Sequence, residues 1–168
     1  MLERKYLAHM IDAAFDMTYA STNIVRIGKD LEELSFDLAP DVETVKNILG
    51  ETSVRHNGFE ATASIEPLYV EDYDDALSAK LIDIVMNRLT GDACKTTYYD
   101  IWLTPSEDAG GEPTVYKAWR EDCLIVPQSY GGDTSGVQIP FNIHPVGNRV
   151  EGTYDLGTKK FTPKSTGL

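Results

Sequence analysis

Apolar residues recur at three- and four-residue spacing in one long stretch, residues 73–91, where Leu77, Leu81, Ile84, Val85 and Leu89 fall on one side of a helix. The spacing predicts a helix over 74–90. Asp72 or Asp74 is the expected cap, the carboxylates of Glu71, Asp72, Asp74 and Asp75 sit near the positive end of the helix dipole, and Gly91 supplies the left-handed stop. A one-sided apolar stripe needs an apolar partner surface, and the remainder of the chain reads as the strands of a sheet.

Taken in order, Leu7, Met10, Ile11 and Phe15 again have helical spacing, with Asp12 and Asp16 off the stripe, which predicts an amphipathic arm over 1–22 ahead of a domain over 23–168. Ser21-Thr22-Asn23 separates the two, so the arm either docks on a neighbour or folds back on its own core. Residues 24–28 and 31–38 read as strands joined by a turn at Gly28-Lys29-Asp30. Residues 41–49 predict a short helix capped by Asp41 and stopped by Gly50, with Val42, Val45 and Ile48 on its apolar side. Asn57-Gly58 is the strongest hairpin signal and joins 51–56 to 59–67. In the second arm Phe59, Ala61, Ala63 and Ile65 alternate with Glu60, Thr62, Ser64 and Glu66, giving one core face and one wet, acidic face. After the helix, 95–103 and 114–126 are two strands joined by a polar loop over 104–113. Val137, Ile139, Phe141 and Ile143 alternate through Pro140, which marks an edge or a bulge. A last hairpin joins 149–154 to 159–162 around 155–158. Strands, one helix, then strands again predict a mainly β chain: an antiparallel β-sandwich or barrel with one long flanking helix.

Charge narrows the function. The 27 acidic and 15 basic residues leave a formal charge of −12, which argues against a surface that binds nucleic acid by neutralising phosphates. Arg4, Lys5, His9, Asp12 and Asp16 interrupt the N-terminal region well short of the roughly 20 apolar residues of a membrane span, and no signal peptide is expected. Cys94 and Cys123 stand apart, outside any C-x-x-C pair, and are expected to be buried, inert thiols.

Candidate chemistry is sparse. Gly28-Lys29-Asp30 lacks both the upstream glycine and the hydroxyl of a phosphate-binding loop. Asp72, Asp74 and Asp75 lack the glycine and closing glutamate of a calcium loop, so capping is their expected role. His9, His56 and His144 lie on three separate segments without a nucleophile motif. Adjacent carboxylates such as Glu32-Glu33, Glu107-Asp108 and Glu121-Asp122 point to opposite faces of a strand and make poor acid/base pairs. The expectation is a chain without catalytic residues, cofactor or metal.

Several segments, in order, resemble the tail tube proteins (major tail proteins) of tailed bacteriophages, which are related to the inner tubes of contractile injection systems. They are Arg26-Ile-Gly-Lys-Asp-Leu-Glu-Glu-Leu34, Pro40, Lys46-Asn-Ile-Leu-Gly-Glu51, Thr62-Ala-Ser-Ile-Glu-Pro67, Gly131-Gly-Asp133, Ile139-Pro-Phe-Asn-Ile143, Gly152-Thr-Tyr-Asp155 and Phe161-Thr-Pro163. The resemblance implies a β-sandwich with a flanking helix that self-assembles into hexameric rings, stacked as a hollow conduit for DNA. It implies as partners further copies of the chain, the tape measure, tail tip or baseplate, terminator and sheath, with DNA in transit and no membrane. The location would be the virion tail, built in the host cytoplasm. The excursion over 36–51 is similar to the family's loop that reaches an adjacent subunit. Leu7, Met10, Ile11, Phe15, Val42, Val45 and Ile48 are then the expected interface, and Glu60 and Glu66 are candidates for an acidic lumen. Two alternatives stand beside this: a tail terminator or connector ring of related fold, and a small-molecule-binding or hydrolytic β-sandwich enzyme.

Overall fold

The computed structural model describes residues 1–20, 23–104 and 114–165. The chain is mainly β with one α-helix, and its large sheet is antiparallel throughout and curls into a half-barrel. Its strands are β1 (Leu7–Asp12), β2 (Ile24–Ile27), β3 (Phe36–Asp37), β6 (Thr62–Ile65), β7 (Lys95–Trp102), β8 (Val115–Pro127), β11 (Phe141–Asp155) and β12 (Lys160–Pro163). They run in the order β2-β1-β7-β8-β11-β6-β3, with β12 added to β11. Two small hairpins stand apart: β4 (Pro40–Lys46) with β5 (Thr52–Phe59), and β9 (Gly131–Asp133) with β10 (Gly136–Gln138).

The helix α1 (Ala76–Asn87) lays Leu77, Leu81 and Val85 on one face of the sheet, against Ile11, Tyr98, Cys123, Ile125, Phe141 and Ile143. Its cap is Asp75, whose carboxylate accepts from the Ser78 amide, one residue beyond Asp74 and three beyond Asp72, the two expected caps; Asp72 instead accepts from the Asp74 amide. Arg88 takes the left-handed conformation at φ 53° and ends the helix three residues ahead of Gly91. On the opposite face a second apolar cluster joins Ala8, Met10, Ile24, Tyr99, Ile101, Ala118 and Tyr154.

β7 and β8 form the expected antiparallel pair, and β11 with β12 form the closing hairpin, with Asp155 opposite Lys160. The loop expected over 104–113 lies, beyond Thr104, outside the described residues. Gly28 starts the expected turn by accepting from the Leu31 amide. Pro140 lies between β10 and β11, where no ladder amide is required of it.

Three expectations are corrected. The apolar part of the N-terminal arm expected over 1–22 is a strand, not an amphipathic helix: after a single 3-10 turn at Arg4–Tyr6, β1 pairs on one side with β2 and on the other with β7, and Ile11 is fully buried. A strand covered on both faces carries an apolar run without period two, which is why it imitates helical spacing. Leu7, Met10 and Ile11 therefore belong to the strand and its core, and Phe15 packs partly buried against the helix-side cluster. Second, residues 41–49 are not a helix. Val42, Thr44 and Val45 are β-branched and fit the extended strand β4. Third, Asn57-Gly58 is not a hairpin turn. Asp41 pairs with Gly58 and Val42 with His56, so Asn57 is the extra residue of a bulge inside β5, and β5 and β6 do not pair. Of the expected strand over 31–38, Phe36–Asp37 forms β3.

Candidate assembly surfaces

Among the described residues the β4–β5 hairpin pairs only with itself, and nearly every residue in it is exposed. At its turn the Asn47 amide donates to the Glu51 carbonyl, and the Gly50 amide to the Asn47 carbonyl. The Asn47 side chain accepts from the amides of Leu49 at 2.9 Å and Glu51 at 3.0 Å, and its own amide group donates to the Glu51 carboxylate at 2.8 Å. This lock holds Ile48 fully exposed, with Leu49 beside it and Val42 and Val54 along the arms. Val42 and Ile48 of the expected interface thus stand on a free surface, with Val45 half-buried between them.

At the root of the hairpin opens a groove of about 1250 Å³ between β1, β3, β7 and β11. Leu38, Phe59, Trp102 and Val146, all exposed, form its apolar walls. The floor is polar and tightly bonded. The Arg149 guanidinium donates to Asp100 at 2.9 Å, and to Glu121 and the Tyr98 hydroxyl at 3.0 Å each. Tyr98 donates to Glu121 at 2.9 Å, and His9 Nδ1 lies 2.7 Å from the other Asp100 oxygen. Burial works against the Arg149 charge, but its hydrogen bonds to Asp100 and Glu121 outweigh that and raise its pKa. Burial, followed by the Asp100 and Glu121 charges, pushes the Tyr98 hydroxyl well above its ordinary value.

Sequence spacing does not join these residues, because β1, β7, β8 and β11 contribute one or two each across the sheet. Two of the three histidines line this groove, His9 in the floor network and His144 in the wall, while the His56 ring packs tilted against Phe59, centre to centre 4.7 Å, on the hairpin. A His–Asp pair orients a base in hydrolases. In this groove Asp100 is shared with Arg149 and the His9 ring packs on Phe36 at 5.3 Å, which is the geometry of a structural tie.

A second network on the other face ties the chain after β1 to the sheet. The Tyr19 hydroxyl donates to both Asp122 oxygens at 3.0 Å, the Asn148 amide group donates to it at 3.1 Å, and the Arg120 guanidinium lies 4.1 Å from the Tyr19 ring centre. Glu60 is exposed at the groove rim, with its amide donating to Leu38. Glu66 is exposed, beyond the buried Ala63 and Ile65 of β6. β2 pairs on one side only and leaves an open sheet edge among the described residues. Cys94 and Cys123 are buried free thiols. Among the described residues no helix is long and apolar enough to cross a membrane. No known family and no curated protein matches the chain in sequence.

Proposed function

We propose that the chain is a structural subunit that assembles into stacked hexameric rings, forming the hollow tail tube of a phage or phage-like particle and passing DNA without binding it. The observation that carries this reading is the β4–β5 hairpin, an element that exposes Val42, Ile48, Leu49 and Val54 and, among the described residues, pairs with no other strand. Apolar groups held rigidly in water are matched by a partner surface. The open edge of β2 offers a place for lateral pairing, the curled sheet supplies a wall, and the −12 charge suits a conduit that does not retain phosphate. The partners are further copies of the chain and the other tail proteins, and the location is the virion tail. The role is non-catalytic.

Negative-stain electron microscopy across a concentration series tests this: rings or hollow tubes are expected. A species that stays monomeric when concentrated and when mixed with tail-tip components overturns it. Rings that close without stacking reassign the chain to a terminator.

A further inference from the structure

We infer that Asn57 is a site of spontaneous covalent modification: its side chain closes on the Gly58 amide, sheds ammonia and leaves an isoaspartyl or aspartyl residue in the β5 arm of the hairpin. One asparagine of the chain is chemically apart from the others. Asn23, Asn47 and Asn142 precede isoleucine, and Asn87 and Asn148 precede arginine, so a side chain crowds the amide nitrogen that follows each. Asn57 precedes glycine, which has no Cβ to hinder the approach. The surroundings select the same residue. Asn47 is held by three hydrogen bonds at the hairpin turn, Asn87 donates to Asp83, and Asn148 donates to Tyr19 and Asp122. The Asn57 side chain is exposed and has no hydrogen bond among the described residues. Its backbone is released as well. As the extra residue of the bulge it stands between the Val42–His56 and Asp41–Gly58 pairs, opposite no partner of its own. Gly58, at φ 128°, has open space where a side chain would stand.

The reaction balances within these two residues and one water. The Gly58 amide nitrogen gives up its proton and attacks Asn57 Cγ. A new C–N bond forms, the bond from Cγ to the side-chain nitrogen breaks, and that nitrogen leaves with the proton as ammonia. The succinimide ring then takes up water at one of its two carbonyls. Attack at Cγ restores the ordinary backbone and leaves an aspartyl side chain. Attack at the main-chain carbonyl leaves the chain running through Cβ and Cγ, one atom longer, with the carboxylate on Cα. Either product sets a negative charge next to the Asp41–Gly58 pair, in a chain already at −12. The longer product also changes the spacing across the bulge, which fixes how β4 and β5 register. The hairpin therefore loosens as the chain ages, a change that holds whether or not the chain assembles.

Peptide mapping by mass spectrometry, on full-length chain aged at mildly alkaline pH, tests the assignment. Asn57 is expected to be the first asparagine converted in the folded chain, to give isoaspartyl and aspartyl forms together, and to convert faster as pH rises, because the attacking nitrogen must lose its proton. The folded rate is expected to lie no more than about tenfold below the rate in urea, the factor set by a local opening that costs about 1.4 kcal/mol. Conversion that begins at another asparagine, that yields the aspartyl form alone, or that falls further below the rate in urea overturns the site. Asn57→Gln, whose longer side chain closes a larger and slower ring, alters an exposed, unbonded group and is expected to fold as the wild type and lose the product. Hydrogen exchange reads the consequence. Amides of β4 and β5 are expected to exchange faster in the aged wild type than in aged Asn57→Gln, with those of α1 unchanged. Equal exchange in the two aged chains overturns the loosening.

Discussion

Arg149 holds together two carboxylates from neighbouring strands, Asp100 of β7 and Glu121 of β8, and through Asp100 it reaches His9 of β1. Arg149→Ala leaves both carboxylates without their cation, so the midpoint of urea unfolding is expected to fall by the equivalent of about 1–3 kcal/mol. Arg149→Lys recovers little, because a single ammonium does not reproduce the fork that spans both acids. The buried tyrosines set the alkaline limit. Burial, then the Asp12 and Asp155 charges, pushes the Tyr154 hydroxyl up to about 12. A pKa raised by folding contributes stability that is complete below the unfolded value near 10 and is lost as pH rises from there towards 12. Unfolding between those limits is expected to release a step of tyrosinate absorbance, and the absorbance of all nine tyrosines appearing in a chain that is still folded contradicts it. Burial likewise raises both thiols, so Cys94 and Cys123 are expected to react with a thiol reagent only on unfolding.

Each element separates core from interface by its own test. Ile11→Ala in β1 removes a fully buried side chain and is expected to cost about 2–5 kcal/mol in chemical denaturation. Ile48→Ser combined with Leu49→Ser alters only exposed groups, so stability should stay within about 0.5 kcal/mol of the wild type while assembly fails. A large loss of stability in the double variant would make the tip part of the fold. Asp75→Ala is expected to lower stability by about 1 kcal/mol through the lost cap of α1. The helix was legible because one face is buried and the other wet, leaving the 3.6-residue period intact. β7, β8 and the closing hairpin were legible as strands. β1 was not, since burial on both faces erases the period that distinguishes strand from helix.

In the tube proposed for the whole molecule, the −12 charge acts on DNA only as a repeated ring. A single carboxylate acts over about 8 Å at physiological salt. If Glu60 and Glu66 face the lumen, their replacement by lysine is expected to permit tube assembly and to slow DNA ejection, because phosphates then meet fixed cations and release counterions. Unchanged ejection kinetics in that variant, or a map of the assembled tube with a basic lumen, removes the channel role and leaves the charge to solubility.

Sequence alone determined the mainly β class, the long helix, strands on either side of it, and the acidic balance. Each of these is a local period or a sum over residues, and neither depends on what lies across the fold. Tertiary structure decided the rest. It placed the N-terminal residues inside the sheet and turned Asn57-Gly58 into a bulge, because Val42 opposite His56 sets a register that the turn dipeptide does not choose. It also built the groove, where His9 meets Asp100 across 91 positions of sequence and Asp100 meets Arg149 across 49. Strand order alone brings these residues together, and strand order follows from which apolar faces can be covered at once.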